Sequence, residues 1–492
     1  MTVYFSLVMT VMVSLIAASI VSVKVSAGRM QAANAVDQAL FSLFARYDRQ
    51  LEEKYDLFFV DAQGASGGPD IAAVNREIED AAEYILDPDK GRELIGGKSL
   101  LNLSIEQCAL SGYTLATDMR GAPFAAQAID SIKGTAALQG ISALKEIITA
   151  GESTVARGEA AKQAAEAVTY EGIEEQAESA REKREEEAEA AAAAGESYEL
   201  TEPEVPADFV NPLPILIKIK RKALLKALVP SDPGYSRKKV SKSKLVSGRK
   251  LASGVGVIDT TSSSVSGANG AAFKAYIAAH YTCYSNPSEN SALAYQMEYI
   301  LYGNNSDEQN LKTVLKKLIL LREAINIACL YTDIEMSASL SETALFIGMV
   351  LWIPEAEPLI KLLLAAVWAY AESMVDVRAL MEGKRVPYIK TALEWQTDLQ
   401  SLALHRTDLG AMTKDSADGL NYREYLTILL ILTSDSNLVL RAMDMTESEI
   451  RGSGRPDFRL DACIGAVTTA VRIQSQKRVE FTVEETMNYR DL

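Results

Sequence analysis

The chain has 492 residues, 48% apolar and 24% charged, a composition that belongs to folding rather than disordered proteins. Acids number 66 against 50 bases, a formal charge of −16, which argues against general binding to a nucleic-acid backbone. His280 and His405 are the only histidines, so a three-histidine zinc site is impossible, and any Ser-His-Asp or Cys-His centre must use one of the two.

Residues 1–23, MTVYFSLVMTVMVSLIAASIVSV, carry no charge. At 1.5 Å per residue such a run reaches roughly 35 Å, enough to cross a hydrocarbon core. Tyr4 sits near one end, where an amphipathic ring suits the interface, and Lys24 and Arg29 bound the other. No basic residue precedes the run, and the small-residue motif Val25-Ser26-Ala27 comes after a lysine. A retained single-pass anchor is therefore expected over a cleaved signal peptide or a buried soluble helix. The positive-inside rule, taken literally, places Lys24 and Arg29 in the cytoplasm. The residues that follow lack cytosolic enzyme motifs, which favours the opposite orientation, N-in and C-out.

Val36, Leu40, Phe44, Tyr47, Leu51, Tyr55 and Phe58 recur at threes and fours. That spacing predicts one helix of about 60 residues that carries the anchor onward through 24–62. GASGGPD (64–70) breaks it. Residues 71–88 read as an amphipathic helix on Val74, Ile78, Ala81, Tyr84 and Ile85, and 99–117 as one or two strands, within a pilin-like α/β part spanning 63–134.

Residues 135–270 read as a charged helical arm followed by a flexible basic and Ser/Gly linker. Between Glu171 and Glu204 there are 13 acids against 3 bases, in a stretch of high helix propensity without sustained heptad apolar positions. A solvated arm is expected, with a partner-binding coiled coil as the alternative. Between Lys218 and Lys250 the sign reverses, to 12 bases and one acid, Asp232. ILIKIKRKALLKALV (215–229) is a basic amphipathic helix and RKKVSKSKLVSGRK (237–250) a basic loop. Anionic lipid, a cell-wall polyanion or the acidic neighbour within the chain are its expected partners, ahead of nucleic acid.

Residues 271–450 are a helical domain. Two apolar runs, 344–353 and 359–371, are each too short to span a membrane, and joining them would bury Glu355, Glu357 and Lys361. A buried helical hairpin is expected there, with further helices over 373–382 and 421–446. From 451 to 492 the period changes to alternation. FRLDACIGAVTTAVRIQS and RVEFTVEETMNY predict an antiparallel hairpin around Gln476-Lys477 that pairs with 99–117. The expected fold class is α+β, mostly α: a long N-terminal transmembrane helix continues into an extracytoplasmic domain with a small antiparallel sheet and a helical bundle.

Chemistry is scarce. There is no GxxxxGK[ST] or HExxH, and no zinc spacing among Cys108, Cys283, Cys329 and Cys463. Small buried core thiols are expected, although a Cys108–Cys463 disulfide is feasible if their strands are neighbours. Glu323 with Asp333, and Glu372 with Asp376 one turn apart, are acid pairs that Arg322 and Arg378 can neutralise. Buried ion pairing is their expected fate rather than general acid–base work. No catalytic residue, cofactor or metal site is nominated.

The opening TVYFSLVMTVMVSLIAASIVSVKVSAGRMQAANAVDQALFSLFARYDRQLEEKYDLFFVD resembles a clostridial family of uncharacterised single-anchor membrane proteins encoded at Tad (Flp) pilus loci, similar to TadE/TadG pseudopilin-like proteins. NPLPILIKIKRKALLKALVP (211–230), 292–333, 365–390, 420–432 and RLDACIGAVTTAVRIQS extend the resemblance over nearly the whole length. It implies an envelope protein, single-pass in the cell membrane with its C-terminal domain outside, that helps assemble or anchor a Tad pilus among other pilus or pseudopilin subunits. Filament-forming type IV pilins carry a Glu five residues into the mature helix, whereas Phe stands at position 5 here and the first acid is Asp37. That departure suits a minor role. The rival readings are a surface receptor using the charged arm and an extracellular hydrolase at an unidentified site.

Overall fold

The computed structural model describes residues 2–86, 101, 103–194, 211, 224–232, 234–256, 266–399, 412–434, 436–475 and 479–490. The first helix, α1 (Thr2–Phe44), is unbroken, about 65 Å long at 1.5 Å per residue, and changes character half-way. From Val3 to Val23 its apolar side chains are exposed; from Ala32 to Phe44 the Ala32, Ala35, Val36, Ala39, Leu40, Leu43 and Phe44 face is buried.

The expected single helix of about 60 residues ends early. Tyr47 bridges Val60, and Asp48 starts a new helix, α2 (Arg49–Tyr55), by accepting a hydrogen bond from the Leu51 amide at 3.0 Å. A capping aspartate with extended backbone satisfies an orphan N–H at a helix start, which a continuous helix through Asp48 could not use. The periodic stripe is real but shared. Val36, Leu40 and Phe44 enter one core, and Leu51 and Tyr55 enter the other.

The first core is built on a four-stranded antiparallel sheet. Its central strand β3 (Cys463–Ser475) pairs on one edge with β2 (Leu103–Leu115) and on the other with β4 (Glu480–Asn488) and the two-residue β1 (Val60–Asp61). The C-terminal strands thus return to 99–117 as the alternation predicts; Gln476-Lys477 lies outside the described residues. Helix α3 (Ile71–Leu86) and the second half of α1 cover the sheet through Val74, Ile78 and Ala82. Tyr84, assigned to that face from its spacing, is 72% exposed. Ala82 takes its place, because a helix face has room for one of two residues two positions apart.

The second core is helical. It contains α4 (Asp118–Ile132), α5 (Ala136–Glu166), α6 (Tyr170–Ala194), α7 (Leu224–Leu228), α8 (Gly267–His280), α9 (Gln296–Tyr302), α10 (Asp307–Thr332), α11 (Ile334–Val350), α12 (Glu357–Met381), α13 (Tyr422–Leu432) and α14 (Leu438–Gly452). The 344–371 region is a helical hairpin, α11 and α12, as expected, but only α12 is largely buried, Leu345 and Met349 of α11 being exposed; 373–382 simply continues α12. The stretch 421–446 is two helices, parted at Thr433.

The solvated arm is only partly so. α5 packs along α10, and Gly158 lies so close that a Cβ there would stand 1.7 Å from the Ala324 carbonyl oxygen. α6 docks by Ile173 and Ala177, with Arg184 over the Trp352 ring at 4.3 Å, and leaves its glutamates in solvent. Alanines and glycines that carry no heptad signal nevertheless allow close helix approach, which is why sequence periodicity missed the docking of α5.

Candidate anchor, charge clusters and charged surfaces

In the exposed half of α1, Ser6, Thr10, Ser14 and Ser19 donate to carbonyls three or four residues back at 2.8–3.1 Å. These four hydroxyls are thus satisfied inside the helix, as a segment in hydrocarbon would require. It is long and apolar enough to cross a membrane. Past Lys24, Gly28 lies against Phe481 at the start of β4 and Leu103 at the start of β2. At the other end Phe44 stacks with Tyr489 at 4.7 Å. The bare half therefore leaves the sheet at the Leu103–Phe481 end. α12 with the preceding turn is the second stretch of sufficient length, but most of it is buried inside the helical core.

That helix carries two fully buried acids, Glu372 and Asp376. Arg322 donates to Asp376 at 3.0 Å, to the Pro387 and Tyr388 carbonyls at 2.8 and 2.6 Å, and to Asn326 at 3.2 Å. Lys390 pairs with both Glu372 and Asp376, and Glu372 also accepts from the Thr397 amide and hydroxyl at 3.0 and 2.7 Å. Burial, then the neighbouring Asp376, pushes the Glu372 carboxyl up. Burial acts the same way on Asp376, but Arg322 and Lys390 outweigh it and hold that carboxyl below the usual range. The expected ion pairing with Arg322 is present for Asp376. Arg378, the other expected partner, turns one helical turn forward to Glu382 at 2.6 Å. Lys390 replaces it, a residue that sequence spacing could not connect to α12. Glu323 binds Lys162 at 2.7 Å, and Asp333 caps α11. Two cations facing two carboxylates make a lock that fastens the 387–397 loop to α10 and α12.

A different carboxyl stands unneutralised. Glu298 is buried; Oε1 accepts from the Tyr284 amide at 2.8 Å and the Tyr422 hydroxyl at 2.9 Å, while Oε2 has no hydrogen-bond partner among the described residues. Burial pushes it from 4.5 to about 7. His280 takes its place at the end of α8, its ring 4.5 Å from that of Tyr276, with Nδ1 3.1 Å from the Lys54 carbonyl and Nε2 3.5 Å from Asp56. His405 lies outside the described residues. A cleft of about 640 Å³ beside α5 and α10 and another of about 480 Å³ beside α8 include none of His280, Glu298, Glu372 or Asp376 in their walls. Among the described residues no group of three His, Cys, Asp or Glu is placed to hold a metal.

The strands of Cys108 and Cys463 are neighbours, but the register separates the thiols. Cys108 faces Val471, eight residues from Cys463 and about 26 Å along β3 at 3.3 Å per residue. A disulfide between them is excluded by that spacing. All four thiols are free; Cys283, Cys329 and Cys463 are buried, as core residues should be.

The basic stretch is described from 224. Arg249 is clamped by Glu447 and Asp461 at 2.5–2.6 Å, and Arg459 and Arg249 hold Asp461 at about 2 although burial alone would raise it. Among the described residues, Arg249 thus finds its acidic partners at Glu447 of α14 and at Asp461, just before β3. Val255 exchanges both backbone hydrogen bonds with Tyr113, and Gly254 donates to Asp118. These contacts fix the loop at the end of the sheet remote from the anchor. From Leu103 to Tyr113 is about 33 Å at 3.3 Å per residue, against a Debye length of about 8 Å at physiological salt. Loop 237–250 therefore lies at the opposite end of the sheet from the bare half of α1. Most of the helix expected at 215–229 lies outside the described residues.

Residues 202–475 match a family of unknown function, DUF5702, over more than half of the chain. The chain belongs to DUF5702. No curated protein and no solved structure matches it. The DUF5702 match takes in the helical core from α7 to α14 and the central strand β3; α1 to α6, β2 and β4 lie outside it. The shared part thus supplies the middle of a sheet whose flanking strands come from elsewhere in the chain.

Proposed function

We propose that this protein is a membrane-anchored, extracytoplasmic structural or assembly component, and that its resemblance to TadE/TadG-like proteins marks it as a minor pseudopilin-like subunit of a Tad-type pilus. One observation carries the reading: a single unbroken helix is bare and apolar over its first half and packed on a small antiparallel sheet over its second. A helix continuous from bilayer to sheet couples the folded part rigidly to the membrane. It also leaves its lipid-facing half free to pack laterally against other single-span helices. The hydrolase alternative has no comparable support: Glu372 and Asp376 face cations, and the two described clefts include neither Glu298 nor His280 in their walls.

Removing residues 2–23 leaves the buried half of α1 in place. The truncated protein is expected to fold and appear in the soluble fraction, while the full chain resists an alkaline carbonate wash of vesicles. Membrane retention of the truncated form would overturn the anchor. The pilus assignment has its own test: a deletion strain should lose surface filaments and regain them with the full chain but not with the form lacking 2–23. Normal filaments without the protein would remove the pilus role and leave the anchor standing.

A further inference from the structure

The two charged surfaces of the molecule are built differently. The cationic one is a preorganised loop. Leu245 and Val246 are buried pins, Ser247 binds Asp444 at 2.6 and 2.8 Å, and Val240 and Lys239 bridge to 305–306. The turn is tight enough that a Cβ on Gly248 would stand 2.0 Å from the Lys242 carbonyl oxygen. Arg237, Lys239, Lys242, Lys244 and Lys250 project from this frame into solvent. A loop fixed at both ends loses little entropy on binding, so the arrangement suits a partner of opposite charge.

The anionic surface is α6. It carries nine glutamates against three bases, all nine exposed. Glu171, Glu174, Glu178, Glu182, Glu185 and Glu189 follow one another at threes and fours along one face, roughly 27 Å at 1.5 Å per residue. Like charges one turn apart work against their own helix, and cations from outside relieve that repulsion. In a chain of charge −16 the exposed lysines of the loop are the unusual feature, and this helix is the complementary feature on the same molecule.

We infer that the 239–250 loop of one copy docks on the glutamate face of α6 of a second copy. The surfaces are different, so the contact is heterologous. Each copy keeps one unused loop and one unused helix face, and copies held side by side in one membrane can extend into a row rather than stop at a dimer. On the anchored reading, the distance of the loop from the bare half of α1 removes lipid headgroups as the competing anion. The inference rests on the anchored-assembly reading only for this and for the lateral alignment of copies.

Light scattering of the full chain in detergent, at low and high ionic strength, tests it. Association is expected at low salt and should weaken about tenfold or more at high salt, whereas association through the apolar anchor would not weaken. K239E/K242E/K244E and E178K/E182K/E185K should each abolish it alone, with melting temperatures retained. Mixing the two variants should restore it, because the reversed loop of one then meets the reversed helix of the other. A wild-type chain that is monomeric at low salt overturns the proposal. So does loss of association in the loop variant alone with none in the helix variant, which would assign the loop to a different polyanion. If a reversal variant fails to fold, glutamine at the same positions tests the same contact. The measurement is made in detergent, so its outcome is independent of whether carbonate releases the protein from membranes.

Discussion

At the scale of single residues the protein sorts its buried charges into two kinds. Asp376 and Glu372 are each met by a cation, whereas Glu298 is met by a hydroxyl and an amide. Glu298 should make stability depend on pH near neutrality. Unfolded, it ionises near 4.5; folded, it stays neutral up to about 7. The unfolded chain therefore holds fewer protons between those values, and stability falls as pH rises through that window, by about 3 kcal/mol for this group, then levels. Glu298→Gln keeps an acceptor for Tyr284 and Tyr422 and has no proton to lose. Urea denaturation across pH 4.5–7 should show a slope in the wild type that the variant lacks by about this amount; parallel slopes would refute the assignment. Asp461 acts in the other direction, losing its contribution only as pH falls towards 2. At this scale the sequence was half legible. Arg322, Glu372 and Asp376 could be matched from spacing along α10 and α12, whereas Lys390 lies on a loop whose path no periodicity encodes.

At the scale of elements, apolar period and terminal residues gave the hydrophobic helices and the C-terminal strands. They gave no warning of contacts made through small residues. Gly158 is the clearest instance, since α5 and α10 meet backbone to backbone there. Gly158→Ala should force the helices apart and cost about 1–3 kcal/mol or more in urea denaturation, the range for overpacking a close contact. Unchanged stability would mean that α5 is not seated on α10. The aromatic stripe of the N-terminal segment shows the opposite limit. Its period continues through Tyr55, but one capping aspartate at position 48 divides it into two helices that serve two cores.

At the scale of the whole molecule, the two cores are joined by side chains far apart in sequence. Arg455 pairs with both Asp48 and Asp61, and Lys54 reaches Glu449 at 3.1 Å. Asp48 is buried, so removing its cation leaves a charge only partly compensated by the α2 amide. Arg455→Met is expected to cost about 2–3 kcal/mol, between the values for exposed and buried pairs. It should also separate a single thermal transition of the full chain in detergent into two, as the sheet core and the helical core uncouple. One unshifted transition would show that apolar contact alone joins them.

The sequence by itself determined an N-terminal helix long and apolar enough to cross a membrane, the mostly helical α+β class and the return of the C-terminal strands to 99–117. These follow from local quantities: uninterrupted apolar length, a period of 3.6 or 2, and the positions of Pro and Gly. Only the tertiary structure decided that Cys108 faces Val471 rather than Cys463, that Lys390 neutralises α12, that α5 lies against α10, and that the basic loop sits at the end of the sheet remote from the bare half of α1. Each depends on strand register or on the path of a loop. Those are set by the summed packing of residues hundreds of positions apart, and one residue of slip in a strand would place every side chain on the opposite face.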